Sequence, residues 1–337
     1  MLEFTHGGQV EAFAKKIGCK VDEVIDLSSN INFLKPTINI DFNQLAISSY
    51  PTYDKLYDTI ATNYNLKTTN IELFNGGSSA IFSLFKHLNL THCTIYSPAY
   101  LEYKKACKIY KYDYTLVNRF DKITQHITPN SFVVFVNPST PDGQYYDIEE
   151  LIEYWDSYGC TILIDESFLD FTTYKSAVSL INTYSNLYIL KSMTKFYSCA
   201  GVRCGTLISN ETNIKNISQS EPMWKISQFD SYYLQEALKD TTFKKTTKAI
   251  TVKNQIMLEN ILKDSNLFET IYPSNANFIL AKLKNITAQQ LQQKLIPYKI
   301  YIRDCSNFDF LDKYYVRFAV KSEKALEVLS KALLLKN

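Results

Sequence analysis

Short apolar runs alternate with helical patterns through the middle of this chain, and that alternation constrains its fold more than any other feature. CTIYSP (93–98), SFVVFVNP (131–138), CTILIDES (160–167), NLYILKS (186–192) and RCGTLIS (203–209) are rich in Ile, Val, Leu or Tyr. Most stop at Pro, Ser or Asp, so each reads as a strand. Between them, SSAIFSLFKHL places Ile81, Leu84, Phe85 and Leu88 on one helical face. DIEELIEYWDSYG opens with acids and closes on Gly, as a helix should. Strands alternating with helices predict an α/β fold with a mostly parallel sheet covered on both faces.

At 337 residues the chain exceeds what one hydrophobic core usually spans, so two domains are expected. The texture changes after about residue 222. A long helical stretch over 228–264 leads into TIYPSNANFILAKL, a helix, KIYIRDC, YYVRFAV and a last helix at 322–335. The expected organisation is an N-terminal segment, 1–40, packing on the small domain or a partner. A large domain over 41–225 and a smaller α+β domain over 226–337 follow.

Several function classes drop out on composition. With 36 basic and 34 acidic residues interspersed, no nucleic-acid footprint shows. Seven scattered cysteines, an odd number with no C-x-x-C pair, predict reduced thiols. Four histidines without H-x-x-x-H spacing predict no metal site. No run of about 18 apolar residues occurs, and MLEFTHGGQVEAFAKK lacks an apolar leader, so neither a membrane span nor export is expected. The expected location is the cytoplasm.

Ligands of open α/β sheets sit at the C-terminal ends of strands. Here TILI ends in Asp165, LYIL runs into Ser192-Met193-Thr194-Lys195, and FVVFV ends in NPSTPDG. NGGSS (75–79) opens a helix whose free N–H groups and dipole suit a phosphate. Arg203 lies between Gly201 and Gly205, and Tyr100 closes SPAY. Singly, each reads as a surface lysine, a cap, a turn or a packing tyrosine. Together they match one cofactor. Pyridoxal phosphate needs a lysine, a carboxylate for its pyridine nitrogen, an anion pocket and an aromatic ring against its face.

With those residues in place, the chain resembles the fold-type I pyridoxal-phosphate enzymes, which are aspartate aminotransferase-like. It resembles the branch shared by histidinol-phosphate aminotransferase and L-threonine-O-3-phosphate decarboxylase. Beyond the motifs above, the likeness rests on HGGQ, IDLSSNINFL, SYPTYDKLYDTIA, SPAYLEY, DESFLDF, LKSMTKFYSCAGVRCG, YPSNANFIL and IRDCSNF with YYVRFAV. HGG, DESF and TKFY favour the decarboxylase side. The resemblance implies that Lys195 carries the cofactor, Asp165 pairs with its ring nitrogen and Tyr100 stacks on the ring. Gly77, Ser78, Ser192, Thr194 and Arg203 would hold its phosphate. Tyr50 would reach the cofactor phosphate of a neighbouring subunit, which implies a homodimer with shared sites. Arg317 would hold an anionic group of the substrate, and His6, Asn30 and Arg303 would line its phosphate end.

Some positions depart from the family pattern. Thr140 replaces the asparagine that bonds the ring's phenolic oxygen, Phe168 stands where many aminotransferases have tyrosine, and Ser227 replaces an expected asparagine. The resemblance implies decarboxylation of an O-phospho amino acid: threonine phosphate to aminopropanol phosphate, or serine phosphate to ethanolamine phosphate. The alternatives are an aminotransferase of the histidinol-phosphate type and a cofactor-binding protein without catalysis.

Overall fold

The structure, a computed structural model, describes residues 7–121, 123, 124 and 127–334. Its larger sheet has seven strands: β1 (Ile71–Phe74), β2 (His92–Ser97), β3 (Asp113–Asn118), β4 (Phe132–Val136), β5 (Thr161–Asp165), β6 (Leu187–Lys191) and β7 (Gly205–Ile208). They lie in the order β1-β7-β6-β5-β4-β2-β3. Strands β2 to β6 run parallel. Strand β7 is antiparallel to both β6 and β1.

Every residue of β4 and β6 is buried, which is why FVVFV and LYIL are apolar without alternation. Two strands are absent from the sequence reading. β3 is an edge strand with one face in solvent, so its DYTLVN pattern is diluted by polar residues. β1 is only IELF, and it buries Glu72 against Lys225 at 2.5 Å.

The smaller sheet is antiparallel, with β8 (Phe268–Ile271), β9 (Phe278–Leu283), β10 (Arg303–Asp304) and β11 (Tyr315–Ala319) in the order β10-β11-β9-β8. Its core includes Leu258, Leu262, Ile279, Phe318, Leu326 and Leu329. Leu27 joins that core, and Ile25–Asp26 pairs in parallel with Ile300–Tyr301. The chain then crosses over, so that Leu34 and Ile38 pack on the large core.

The long helical stretch is two helices, Gln228–Lys239 and Thr241–Asp264. Asp240 separates them, its carboxylate accepting from Phe243 N at 2.8 Å as the second helix's N-cap. Leu234, Ala237, Leu238 and Phe243 belong to the large core, whereas Leu258 and Leu262 belong to the small one. The packing of the large core therefore continues past residue 226, and the second helix runs from one core to the other.

Candidate active site

A cavity of about 310 Å³ opens at the C-terminal ends of β5 and β6, and Arg303 of β10 and Arg317 of β11 also line it. Asp165, the last residue of β5, is buried in its floor. Tyr103 Oη donates to Asp165 Oδ2 at 2.6 Å. Ser167 donates to Oδ1 twice, from its backbone N at 2.9 Å and its hydroxyl at 2.5 Å. Three donors hold this carboxylate as an acceptor. The Tyr103 phenol sits well above its ordinary range, through burial first and Asp165 second, so it stays protonated and donating.

Lys195 lies in the short helix Met193–Phe196 that follows β6. Its carbonyl accepts from Asn32 N at 3.0 Å, tying the N-terminal segment to this turn. The half-buried side chain sets its amine 5.2 Å from the Phe168 ring centroid. Burial lowers the amine below the ordinary lysine value. Asp165 opposes that shift, and Arg203 and Arg317 reinforce it. An amine of this kind is neutral more of the time near physiological pH, as a nucleophile or proton carrier requires.

The helix Gly77–Leu88 begins at the cavity wall without a side-chain cap, leaving its first N–H groups for a ligand. Two glycines let Arg203 and β7 pack closely against this helix start. Gly76 has φ +83°, and a Cβ there would meet the Arg203 guanidinium at 2.1 Å. A Cβ at Gly205 would stand 2.6 Å from Gly77 N. Ser78, Ser192, Thr194 and Arg203 line the same end, and Ser78 Oγ lies 3.3 Å from Tyr100 Oη. Uncapped donors, hydroxyls and a guanidinium converge here. That is the chemistry of a phosphate pocket, and with Asp165 and Lys195 in the same cavity the residues fit pyridoxal phosphate.

Two arginines of the small sheet also line the cavity. Arg303 and Arg317 stand directly across from each other on β10 and β11, 4% and 7% exposed. Arg317 donates to Thr140 Oγ1 at 3.0 Å and to the Ser28 carbonyl at 3.1 Å, and its Nε has no partner among the described residues. Burial brings its guanidinium down to about 10. Arg303 adds to that shift, and Cys305 and Asp26 oppose it, so the group stays charged at neutral pH. Arg303 donates to the Asp304 carbonyl at 2.7 Å and to Asn307 Oδ1 at 2.8 Å, with its guanidinium over the Phe308 ring. Asn30 lines the cavity, and its buried Oδ1 has no partner among the described residues. Two like charges held opposite each other, beside unsatisfied polar atoms, suit an anionic ligand.

Most of the residues singled out in the sequence thus meet in one cavity. Tyr50 does not: it is 71% exposed and stacks on Trp224, with ring centroids 4.0 Å apart. His6 lies outside the described residues. Thr140 spends its acceptor on Arg317, which leaves its hydroxyl proton free to donate. Ser227 serves as a helix cap, its hydroxyl accepting from Asp230 N at 3.0 Å. Sequence reasoning missed Tyr103 and Ser167. Tyr103 falls three residues after Tyr100 at the start of Glu102–Tyr110, a spacing that brings both onto one side of the chain. Ser167 stands two residues after Asp165, where a short hydroxyl side chain readily folds back on a carboxylate.

Comparison with known proteins agrees with this geometry. Residues 22–333 match the model of the family described as aminotransferase class I and II. The adenosylcobalamin biosynthesis bifunctional protein CobDQ of Leptospira interrogans is 30% identical over 94% of this chain, which spans 39% of that longer protein. Threonine-phosphate decarboxylase of Salmonella typhimurium is 25% identical over 99% of this chain and 96% of its own length. Among solved structures, histidinol-phosphate aminotransferase from Clostridium acetobutylicum superposes with a TM-score of 0.82 at 29% identity, covering 91% of this chain and 97% of that one. The fold is the fold-type I, aminotransferase-like one, and the chain belongs to the aminotransferase class I and II family of pyridoxal-phosphate-dependent enzymes.

Proposed function

We propose that this enzyme decarboxylates an O-phospho amino acid, threonine phosphate first and serine phosphate second. The observation that carries the reading is the pair Arg303 and Arg317, two arginines beyond Arg203 lining the same cavity as the Gly77 helix start. One arginine suffices for an α-carboxylate, and a second buried cation gives a distal phosphate its own charge-assisted bonds. Relatives named threonine-phosphate decarboxylase, matching nearly the whole chain, support the same reading.

Bound pyridoxal phosphate supplies an electron sink for a bond broken at the substrate's Cα. The chain's own residues do the rest. Asp165, fixed by Tyr103 and Ser167, would accept a hydrogen bond from the ring N–H and keep that nitrogen protonated. Tyr100 would flank the ring. Ser78, Ser192, Thr194, Arg203 and the N–H groups of the Gly77 helix would hold the cofactor phosphate. Arg317 and Arg303, with Asn30, grip the substrate's anionic groups. Their grip would orient the substrate and so select which bond at Cα is broken, and for a decarboxylase that is the bond to the carboxylate. Lys195 then delivers a proton to Cα. In this proposal the active unit is a homodimer, in which the exposed Tyr50 serves the neighbour's cofactor phosphate.

Product analysis tests the reaction. Threonine phosphate should give carbon dioxide and aminopropanol phosphate with no keto-acid acceptor. A requirement for 2-oxoglutarate, with no carbon dioxide released, would replace this reading with an aminotransferase. Arg303→Ala should lower kcat/KM for threonine phosphate about 10- to 150-fold, the value of one charge-assisted hydrogen bond, and barely affect unphosphorylated threonine. An equal loss on both substrates would remove the phosphate grip.

A further inference from the structure

A contact between the two domains sits beside the cavity and takes no part in the chemistry above. Lys104, adjacent to Tyr103, places its Nζ 2.5 Å from Asp309 Oδ1. Ser97, at the end of β2, donates to Asp309 Oδ2 at 3.4 Å. Both oxygens of one small-domain carboxylate are therefore held by the large domain. The side chains of Lys104 and Asp309 are only 24% and 18% exposed, so solvent screens the pair less than an open surface bridge.

Asp309 belongs to the turn after β10, residues 305–311. Phe308 N donates to the Cys305 carbonyl at 3.0 Å and Leu311 N to the Phe308 carbonyl at 3.3 Å, which closes the turn. The same turn seats Arg303, because Asn307 Oδ1 accepts from its Nη2 at 2.8 Å and the Phe308 ring centroid lies 5.1 Å from its guanidinium carbon. A short chain of contacts thus runs from the large domain through Asp309 and its turn to Arg303.

We propose that Lys104 and Asp309 form a cross-domain latch that sets how far Arg303 reaches toward the substrate's phosphate. Lys104 is then a specificity-determining residue although it does not line the cavity. The specificity part rests on the phospho-substrate reading above, while the latch itself does not. Lysine fits this role because its single flexible charge can follow a carboxylate across a domain junction. Asp309 bonds Lys104 and Ser97 rather than Asp165 or the Gly77 helix, so cofactor absorbance serves as the control.

The test uses the holoenzyme with Lys104→Ala, with Asp309→Ala, and with the reversed pair Lys104→Asp plus Asp309→Lys. Two quantities are read: hydrogen exchange of the amides at 305–311, and KM for threonine phosphate and for threonine. Each single variant should raise exchange and the threonine-phosphate KM about 2- to 5-fold, the range of a partly exposed ion pair. Cofactor absorbance and the threonine KM should hold, and the reversed pair should move both readouts back toward wild type. Unchanged exchange in both single variants overturns the latch, whatever KM does. Raised exchange with equal KM shifts on the two substrates keeps the latch and overturns the phosphate reading.

Discussion

Two carboxylates and two lysines stand at the ends of β5 and β6, and their environments differ sharply. Glu166 and Lys191 form an ion pair at 2.6 Å with both side chains 2% exposed. Glu166 also accepts from Ser176 Oγ at 2.5 Å and Ala177 N at 2.7 Å, and the Lys191 amine lies over the Tyr64 ring. Burial lowers the Lys191 amine, but Glu166 and Asp170 outweigh it, so its net shift is upward. One residue before Glu166, and four residues after Lys191, the arrangement changes. Asp165 takes its hydrogen bonds from Tyr103 and Ser167, and the Lys195 amine faces the Phe168 ring, with its net shift downward. Opposite charges that satisfy each other stabilise structure. Charges kept from doing so are left for a ligand.

The largest expected effect separates the lysines by chemistry. Lys195→Ala should lower kcat by about 10²–10⁴-fold or more, the usual size of a lost acid–base group, while the fold persists. Lys191→Met should act on stability instead. Removing one partner of a buried pair costs about 3–5 kcal/mol, and the bonds Glu166 keeps to Ser176 and Ala177 place this case toward the low end. Urea unfolding of the apoprotein measures that loss. Similar behaviour of the two variants would break the comparison.

Stability against pH sharpens it. Lys191, raised in the folded state, contributes stability that is full below the ordinary lysine value of about 10.4 and is lost as pH climbs through its folded value. Lys195 has the opposite sign. Its charged form costs stability below its lowered folded value, and the cost fades as pH rises to the ordinary one. Lys195→Met apoprotein should therefore be more stable than wild type at pH 7, with the advantage shrinking toward pH 10. Urea midpoints across that range check it, and a Lys195→Met protein less stable than wild type at pH 7 would refute it.

The smallest effect belongs to Tyr103. Tyr103→Phe keeps the ring and removes one hydrogen bond to Asp165, worth about 1 kcal/mol net, so cofactor should bind up to about tenfold more weakly. Fluorescence titration of apoprotein with pyridoxal phosphate reads this directly. Unchanged affinity would mean that Ser167 alone fixes the carboxylate.

Which residues were legible in the sequence follows the same physics. Asp165 and Lys195 could be found because strands buried on both faces are apolar, and a charge just past such a strand stands out. Lys191 lies inside the same motif, and only its partner Glu166 reveals that it belongs to the core. Tyr103 reads as one more helical aromatic, because its meaning depends on an oxygen 62 residues away. The Thr140–Arg317 bond spans 177 residues and joins the loop after β4 to β11 of the small sheet, so no local pattern announces it. β3 escaped because an edge strand need not be apolar, and the break at Asp240 because a capping aspartate inside a helical pattern looks like one more polar position.

The contrast between the two lysines can be tested in one measurement. Borohydride reduction of the holoenzyme fixes the cofactor covalently, and peptide mapping then locates it. The account predicts the label on Lys195, with Lys191 unmodified. Label on Lys191, or spread over both lysines, would contradict it.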